Sequence, residues 1–551
     1  MARQLTIIMA QINLLVGDIN ANTDAVIATA KAAIAEHSAD IIAFPELTLT
    51  GYPPEDLLLR PSLQVRINKA IGRILAANLD IHMVIGYPEK SGQQLFNALT
   101  VIKGTRCLAN YRKQHLPNYQ VFDERRYFDQ GSRPCIVKIA DVNVAFTICE
   151  DMWEQEPVIQ ARAADAQLMI NINASPYHMK KIEDRKQLLH TRAREGKFPI
   201  VYVNLVGGQD ELVFDGGSMV VVDTGDCHFL APAFQSGLQH VVVDLPEVAG
   251  HPCTVPLQTI APPMSVEAEI YQALVLGVRD YANKNSFKGV VLGLSGGIDS
   301  ALTLAIAVDA LGAQRVQAVM MPFQFTSQLS QDAAAEQAHL LGVTYQVIPI
   351  APIYAAFIAA LSDEFAGTAV DVSEQNLQAR CRGVLLMAIS NKKGLLVLTT
   401  GNKSEIAVGY STLYGDMAGG FDVLKDVSKT MVYRLSHYRN TTHLPHTGNV
   451  IPLAVIERAP TAELAPGQLD QDSLPLYDEL DKILEHYVEQ DLSAAAIIAL
   501  GFNADVVKRV LRMVDLNEYK RRQSPIGVRL TRRGFGRDRR YPITNAWPLG
   551  E

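Results

Sequence analysis

The sequence predicts an α/β protein of two domains, and three observations support this. Short apolar runs of strand length alternate with amphipathic stretches of helix length along the whole chain. The chain has 551 residues, more than one hydrophobic core usually organises. The stretch 248–263 contains four prolines, which suits a semi-rigid connector. We therefore expect one domain over residues 1–255, a linker at 256–265 and a second domain over 266–551.

Composition and charge exclude several classes of protein. Hydrophobic residues make up 48% and charged residues 20%, which is typical of a globular protein. The net charge of −8 argues against a nucleic-acid binder, and no apolar run of about 18 residues predicts a membrane span. The six cysteines are scattered without a CxxC pair. We expect a cytoplasmic protein that binds neither nucleic acid nor membranes.

The first half of the chain alternates between strands and helices. An amphipathic helix is expected over 22–37, and further helix-like stretches lie between later strands. Apolar runs predict strands at 4–14, 41–44, 82–86, 97–103, 168–172 and 200–206, and 137–148 contains two short apolar runs broken by Asp141 and Asn143. Interleaved strands and helices indicate buried sheets covered by helices.

Three polar residues of this half are candidate catalytic groups. Glu46 and Cys149 each follow a buried strand, and Lys113 lies in a polar segment between them. A strand-end thiol is a reasonable nucleophile, a Glu can act as general base, and a Lys can stabilise an oxyanion and the thiolate. Each also has a structural explanation: a buried free Cys, a Pro-Glu turn and a solvated Lys.

The three segments resemble the nitrilase/amidase superfamily in order and spacing. The matching segments are Phe44–Leu47, the stretch around Lys113, and Ile148–Asp151. The resemblance implies an αββα sandwich with a Glu46–Lys113–Cys149 triad. Residues 113–128 are similar to the glutaminase domains fused to NAD synthetases. This implies that Cys149 attacks the side-chain amide of glutamine and that Tyr119, Ser175 and Lys181 contact this substrate.

The second half predicts a doubly wound parallel sheet. Helices are expected at 267–283, 300–309, 330–341, with Ser330 as N-cap, and 374–391. Strands are expected at 290–292, 316–321, 345–350 and 395–400. Ligands of such sheets bind at the carboxyl ends of the strands.

The stretch 289–301 has the pattern of a phosphate-binding loop. A strand leads through Gly293–Gly297 into a helix, so backbone N–H groups and the helix dipole can meet phosphate oxygens. The loop lacks the Lys of a GxxxxGK[ST] motif and carries Asp299, which suggests Mg²⁺. Glu405, in the loop after the strand at 395–400, is a candidate second ligand of this metal. An ordinary tight turn is the alternative for both loops.

Two further features of this half are open to either interpretation. Asn376, Arg380 and Arg382 could hydrogen-bond a phosphorylated substrate or form a solvated helix face. The stretch 520–540 holds nine Lys and Arg residues against one Asp. Such a concentration could bind a polyphosphate, and the alternative is a subunit contact or a solvated tail.

The loop at 295–300 resembles the pyrophosphate loop of the N-type ATP pyrophosphatases. Together with the segments 375–380, 400–405, 414–416, 458–468, 519–522 and 535–545, it resembles the glutamine-dependent NAD⁺ synthetase family. This resemblance implies a Rossmann-like domain in which ammonia amidates the ATP-adenylated nicotinate carboxylate of deamido-NAD⁺. It also implies Mg²⁺ on the triphosphate, for which Asp299 and Glu405 are the candidate ligands, and a homo-oligomer of at least two chains. The implied contacts are Gly293, Leu294, Ser295, Gly296, Gly297, Ile298, Asp299, Ser300 and Thr400 for ATP, and Asn376, Glu405 and Lys520 for deamido-NAD⁺.

Three other functions remain open at this point. The chain could be another amidotransferase that uses the same ATP chemistry to make a different amide. It could be a stand-alone amidase whose second domain only senses a nucleotide, in which case glutamine consumption would not depend on ATP. A nucleotide-binding protein without catalytic activity is the third alternative.

Overall fold

The computed structural model describes residues 3–248, 250–442 and 448–548. The chain divides between Met264 and Ser265 into two compact units, each with its own helices and sheets. Residues 1–2 and 549–551, at the ends of the two predicted domains, lie outside the described residues.

The first unit contains four α-helices and fourteen strands in its described residues. The helices are α1 (Ile19–His37), α2 (Pro61–Ala76), α3 (Glu156–Ala163) and α4 (Lys181–Gly196). The strands are β1 (Gln4–Gln11), β2 (Ile41–Ala43), β3 (Leu79–Ser91), β4 (Gln94–Gly104), β5 (Arg106–Arg112), β6 (Cys135–Ile139), β7 (Val142–Ile148), β8 (Leu168–Asn173), β9 (Ile200–Asn204), β10 (Val206–Gln209), β11 (Leu212–Asp215), β12 (Met219–Val221), β13 (Cys227–Leu230) and β14 (Gly237–Asp244).

Two six-stranded sheets form the centre of this unit. Their strand orders are β14-β1-β2-β3-β4-β5 and β13-β12-β9-β8-β7-β6, while β10 and β11 form a separate hairpin. In each sheet three neighbouring strands are parallel: β1, β2 and β3 in one, and β7, β8 and β9 in the other. Glu46 and Cys149 lie beyond the carboxyl ends of the parallel strands β2 and β7, and Lys113 follows β5 at the edge of the first sheet.

Side-chain alternation along β1 explains the layering of the unit. Leu5, Ile7 and Met9 point into a core shared with the second sheet, and Ile8 and Ala10 point toward helices α1 and α2. Helices α3 and α4 cover the outer face of the second sheet in the same way. Both sheets are therefore buried on both faces, and the predicted αββα sandwich is confirmed.

The second unit contains a five-stranded parallel sheet. Its strands are β15 (Gly289–Gly293), β16 (Val316–Met320), β17 (Thr344–Val347), β18 (Leu395–Thr399) and β19 (Phe421–Asp422). The order is β17-β16-β15-β18-β19, so the direction of winding reverses between β15 and β18. The predicted doubly wound parallel sheet is confirmed, and the reversal creates a crevice at the carboxyl ends of β15 and β18.

The helices of the second unit surround this sheet and continue beyond it. They are α5 (Val266–Lys284), α6 (Ile298–Leu311), α7 (Gln328–Leu341), α8 (Ala351–Ala360), α9 (Val372–Lys393), α10 (Lys403–Val408), α11 (Lys429–Thr441), α12 (Leu453–Glu457), α13 (Tyr477–Leu484), α14 (Ala494–Ala499), α15 (Ala504–Leu516) and α16 (Glu518–Arg521). In the described parts of the chain, no helix combines the length and apolar character needed to cross a membrane.

The prediction that Ser330 caps helix α7 was wrong. The cap is Ser327, whose hydroxyl oxygen accepts the backbone N–H of Ser330 at 3.2 Å. Two serines stand three residues apart, and both have the side chain that favours an N-cap. The helix starts at the earlier one, which leaves Ser330 buried in its first turn.

We expect Gly86→Ala to destabilise the first unit. An added Cβ in β3 would lie 2.5 Å from the backbone nitrogen of Leu47 and 2.8 Å from the carbonyl oxygen of Pro45. The turn that carries Glu46 would have to move, and such overpacking typically costs about 1–3 kcal/mol. Urea unfolding followed by circular dichroism measures the change.

Gly72→Ala is the matched control, because no heavy atom lies within 4 Å of an added Cβ in helix α2. Replacing a helical glycine by alanine is expected to stabilise by up to about 1 kcal/mol. Equal unfolding midpoints for the two variants would contradict the proposed close approach at Gly86.

Candidate active sites

The structure places Glu46, Lys113 and Cys149 at the ends of β2, β5 and β7. The Nζ atom of Lys113 donates to Glu46 Oε1 at 2.7 Å, and both side chains are completely buried. Asp151 connects the segment of Lys113 to that of Cys149, because its carboxylate accepts the backbone N–H groups of His115 at 2.8 Å and Ile148 at 3.1 Å. The three predicted residues therefore belong to one cluster.

Glu124 is a fourth charged member that the sequence analysis did not assign. Both of its carboxylate oxygens accept from Lys113 Nζ at 2.9 Å. Burial, with the neighbouring charge of Glu46, raises the pKa of Glu124 to about 7, although Lys113 acts in the opposite direction. Burial alone would lower the pKa of Lys113, but the two carboxylates outweigh it and raise that pKa well above its usual range. Lys113 is therefore a permanent cation.

Glu46 is held in one orientation by three donors. Besides Lys113, the side-chain amide of Asn97 donates to Glu46 Oε1 at 2.7 Å, and the backbone N–H of Ala174 donates to Oε2 at 3.0 Å. Because both oxygens are engaged, the carboxylate cannot rotate freely. A general base needs this kind of fixed placement.

Cys149 sits in a strained and buried position. Its φ of 45° lies in the left-handed region, which is unusual for a residue with a side chain and is typical of strand-to-helix turns that present a nucleophile. Burial raises the pKa of the Cys149 thiol well above its usual range, and Glu46 adds to this, while Lys113 lowers it. Lys113 therefore favours the thiolate, as expected, but burial and the neighbouring carboxylates outweigh it, so the thiol needs a base to remove its proton.

The predicted glutamine contacts surround the turn that follows Cys149. The hydroxyl of Tyr119 donates to Glu150 Oε1 at 2.8 Å, and Lys181 Nζ lies 4.2 Å from the centre of the Trp153 ring. Burial, together with the charge of nearby Arg185, lowers the pKa of Lys181 to about 8. Ser175 is buried just after β8. Glu150 and Lys181 thus supply opposite charges beside the thiol.

In the second unit, β15 leads through residues 294–297 into helix α6. The hydroxyl of Ser300 donates to Gly297 O at 2.9 Å, and Ser295 Oγ accepts the N–H of Gly297 at 3.2 Å. Gly296 has a φ of 81°, and a Cβ there would lie 2.2 Å from the carbonyl oxygen of Ser330. Only glycine fits this position, so the loop is held tightly against the first turn of α7.

A cavity of about 290 Å³ opens at this loop. It lies at the carboxyl ends of β15 and β18, where the sheet reverses its winding. Asp416 and Asp422 also line it, and burial raises the pKa of Asp416 to about 6 and that of Asp422 to about 7. The predicted site residues that line the cavity are Gly293, Leu294, Ser295, Gly297, Ile298, Asp299, Ser300, Thr400 and Glu405.

The two predicted metal ligands share a cation in this structure. Lys429 Nζ donates to Asp299 Oδ2 at 2.5 Å and to Glu405 Oε1 at 3.0 Å. Asn402 Nδ2 donates to the other oxygen of Asp299 at 2.8 Å. Burial raises the pKa of Glu405 to about 7 with a contribution from Asp299, while Lys429 acts to lower it. Lys429 is not among the site residues predicted from the sequence.

Asn376 and Lys520 do not line the cavity but contact a loop that does. Asn376 Oδ1 accepts the hydroxyl hydrogen of Thr412 at 2.9 Å, and Lys520 Nζ donates to the carbonyl oxygens of Gly409 at 2.8 Å and Ser411 at 2.9 Å. Several arginines of the basic tail form internal ion pairs: Arg521 with Glu518, Arg529 with Asp538, and Arg539 with Glu518. These pairs favour a structural role for much of the tail.

Of the two residues that were not predicted, Glu124 and Lys429, only Lys429 has a recognisable signal in the sequence. Glu124 lies in Asp123-Glu-Arg-Arg126, which is indistinguishable from a solvated turn. Lys429 is the first residue of helix α11, next to the N-cap Ser428. A lysine is unfavourable at that end of the helix dipole, so its position there could have indicated an acidic partner.

Comparisons with known proteins match both units. A family model described as carbon-nitrogen hydrolase matches residues 3–251, and one described as NAD synthase matches residues 270–524. The glutamine-dependent NAD(+) synthetase of Xanthomonas campestris pv. campestris (strain 8004) is 50% identical over 549 residues, covering 99% of this chain and 98% of that relative. The enzyme of the same name from Acinetobacter baylyi is 48% identical over 546 residues, covering 99% of each.

Solved structures agree with these relatives. A glutamine-dependent NAD⁺ synthetase from Acinetobacter baumannii, in complex with ADP, is 46% identical with a TM-score of 0.79, and each chain is covered completely. A second, from Cytophaga hutchinsonii, is 21% identical with a TM-score of 0.84 over 99% of this chain and 98% of that one, which supports the fold. The resemblance found in the sequence is confirmed, and the chain belongs to the glutamine-dependent NAD(+) synthetase family.

Proposed function

We propose that this chain, a ligase of its family, makes NAD⁺ from deamido-NAD⁺, ATP and glutamine. The observation that carries the proposal is the presence, on one chain, of the Glu46–Lys113–Cys149 cluster and of a 290 Å³ cavity at the 293–300 loop. The products are NAD⁺, AMP, pyrophosphate and glutamate. A stand-alone amidase would not need the cavity at the 293–300 loop.

In the first unit, the Sγ atom of Cys149 attacks the side-chain amide carbon of glutamine. Because the thiol is neutral, Glu46 removes its proton at attack and delivers that proton to the leaving ammonia. The ammonium of Lys113 stabilises the oxyanion of the tetrahedral intermediate. Water then hydrolyses the glutamyl thioester: Glu46 takes a proton from the water and gives it to the departing Sγ atom of Cys149, which restores the thiol. Glu124 keeps Lys113 charged throughout.

Opposite charges beside Cys149 suit the α-amino and α-carboxylate groups of glutamine. The Glu150 carboxylate can accept from the ammonium group, with Tyr119 orienting it. The ammonium of Lys181 lies over the Trp153 ring, and burial lowers the pKa of Lys181 to about 8. A poorly hydrated cation of this kind gains from a carboxylate partner, so we assign the α-carboxylate to Lys181 and the hydroxyl of Ser175.

In the second unit, the nicotinate carboxylate of deamido-NAD⁺ attacks the α-phosphorus of ATP and pyrophosphate leaves. The N–H groups of the 293–300 loop meet the phosphate oxygens. Ammonia then displaces AMP from the acyl adenylate, which gives the amide. Asp416 or Asp422 can accept the proton that the attacking ammonia loses, because their pKa values are raised toward neutrality.

The carboxylates of Asp299 and Glu405 fit Mg²⁺. Both offer oxygen ligands at the cavity, and the Lys429 ammonium already occupies a cation position between them. When bound, Mg²⁺ would neutralise charge on the triphosphate. Lys429, once released from the two carboxylates, would be free to pair with phosphate oxygens.

Self-association is also part of the proposal. Helix α8 has the sequence Ala-Pro-Ile-Tyr-Ala-Ala-Phe-Ile-Ala-Ala, yet none of its residues is buried. A helix that is apolar on every side is normally covered. On neighbouring α9, Val384 is 59% and Met387 37% exposed. We infer that a second copy of the chain covers α8 and this side of α9.

Cys149→Ala should abolish glutamine-driven synthesis of NAD⁺ and leave ammonia-driven synthesis within about twofold of the parent. The change removes the nucleophile of the first unit without touching the second, and losing a nucleophile typically costs about 10⁴-fold or more in rate. NAD⁺ formation with each nitrogen source measures both activities. Loss of ammonia-driven synthesis in a folded variant would contradict two separable sites.

Lys429→Met should raise the affinity for divalent metal in the absence of nucleotide and lower the rate of ATP consumption. Removing the ammonium leaves two carboxylates without their shared cation, so Mn²⁺, used as the probe, should bind about tenfold tighter or more. Paramagnetic resonance of free Mn²⁺ measures the binding. Lys392→Met, which removes an exposed lysine of α9, is the charge-matched control. Unchanged Mn²⁺ affinity would exclude a shared cation site.

Phe357→Glu combined with Val384→Glu should lower the mass of the particle measured by light scattering after size-exclusion chromatography. Two charges on the apolar surface would be desolvated on association, at about 1–3 kcal/mol or more each. Val65→Glu, which changes a still more exposed apolar residue on α2, should keep the parent mass. A parent protein that is already monomeric would contradict self-association.

A further inference from the structure

Arg185 is completely buried, and its guanidinium contacts Ser175, a residue of the proposed glutamine pocket. Nη1 donates to both carboxylate oxygens of Asp215 at 2.8 Å. Nη2 donates to the carbonyl oxygens of Ser175 at 2.8 Å and Pro176 at 3.4 Å, and Nε donates to Ser175 Oγ at 3.3 Å. The planar fork of the guanidinium therefore holds both the backbone and the side chain of Ser175.

Three elements meet at this side chain. Arg185 lies on α4, one turn after Lys181, which begins that helix. Ser175 lies in the turn after β8, and Asp215 ends β11. A single buried group thus fixes the distance between the two residues assigned to the α-carboxylate of glutamine. Tyr202 also lies beside Ser175 and Arg185, so the hydroxyl of Ser175 has defined neighbours on two sides.

Stability alone is a weak explanation for such a pair. Buried ion pairs often contribute little net stability, because desolvation of the charges offsets their attraction. The second unit offers a comparison: Arg439 and Asp309 form an equally buried pair, at 2.6 Å, whose further partner is the hydroxyl of Tyr271. None of those three residues lines the cavity of that unit. The Arg185 pair differs because it holds a residue of the substrate pocket.

We propose that Arg185 is a positioning residue for glutamine recognition, fixing Ser175 against Lys181 so that both can meet the α-carboxylate. This inference rests on the proposed assignment of Ser175 and Lys181 to the substrate. It adds a residue that has no direct role in breaking the amide bond. Arg185 should therefore affect substrates that carry an amino-acid end and leave the reactivity of Cys149 unchanged.

Two reagents that alkylate Cys149 separate these effects in the full-length protein. A diazoketone analogue of L-glutamine needs the amino-acid end to be recognised, and iodoacetamide does not. Mass spectrometry of the peptide containing Cys149 gives both rates. Arg185→Lys keeps the charge and loses the fork, so labelling by the glutamine analogue should slow by about tenfold or more. Labelling by iodoacetamide should stay within about twofold of the parent.

A second variant tests whether slower labelling reflects lost positioning or a folding defect caused by an unpaired buried charge. Arg185→Met with Asp215→Leu removes both charges and replaces a buried ion pair by apolar groups, a change that proteins often tolerate. This double variant should also slow labelling by the glutamine analogue while leaving labelling by iodoacetamide near the parent rate. Arg439→Lys, the matched control in the second unit, should leave the ratio of the two labelling rates at the parent value. Equal slowing of both reagents by the Arg185 variants would overturn the proposal, because it would indicate a general structural defect.

Ser175→Ala distinguishes failure of this inference from failure of the proposed function. If Ser175→Ala slows the glutamine analogue while both Arg185 variants do not, Ser175 contacts the substrate and the positioning role is wrong. If Ser175→Ala leaves labelling unchanged, the assigned substrate contact fails and the positioning role fails with it. If Ser175→Ala and both Arg185 variants selectively slow labelling by the glutamine analogue, the result supports both the substrate contact of Ser175 and the positioning role of Arg185.

Discussion

A buried lysine ammonium shared by two carboxylates holds each candidate site together. Lys113 lies between Glu46 and Glu124, and Lys429 lies between Asp299 and Glu405. A buried charge is costly unless it is paired, so each lysine requires its partners to converge from distant parts of the chain. That requirement brings strand ends together: β2 and β5 in the first unit, and β15 and β18 in the second. The candidate sites lie where these loops meet.

Access to a cavity distinguishes the candidate site of the second unit from a structural ion-pair cluster of the same kind. A third lysine, Lys403, is shared by Asp426 and Glu489 in the same manner, but none of these three residues lines the cavity. Lys113 and its two carboxylate partners are almost fully excluded from solvent. The partners of Lys429 are more accessible, because the side chains of Asp299 and Glu405 are 17% and 18% exposed. The ammonium of Lys113 can therefore act only on groups directly beside it, without leaving its two carboxylates. The ammonium of Lys429 can exchange partners when an anionic substrate enters.

The parts of the fold and sites that sequence could predict are those next to a strong local pattern. Cys149 and the 293–300 loop directly follow apolar runs, so their placement at sheet edges could be inferred. Lys429 meets Asp299 across 130 residues, and nothing local marks that contact except a lysine at an unfavourable helix end. The N-cap of α7 was misplaced because two serines compete within three residues. Local patterns therefore predict elements better than the pairs that join them.

The turn after β8 carries both a donor to Glu46, the proposed base, and Ser175, the proposed substrate contact. The backbone N–H of Ala174 holds Glu46 Oε2, and the next residue, Ser175, is held by Arg185. Asn204 also accepts the backbone N–H of Ser175 at 2.9 Å, so the turn has little freedom to move. The two roles remain separable, because Lys113 and Asn97 donate to Glu46 Oε1 from outside this turn and Asn204 holds the backbone of Ser175 independently of Arg185. Adjacent residues of one turn can thus serve both proposed purposes: a backbone N–H orients the carboxylate of Glu46, and the next side chain meets the amino-acid end of the substrate.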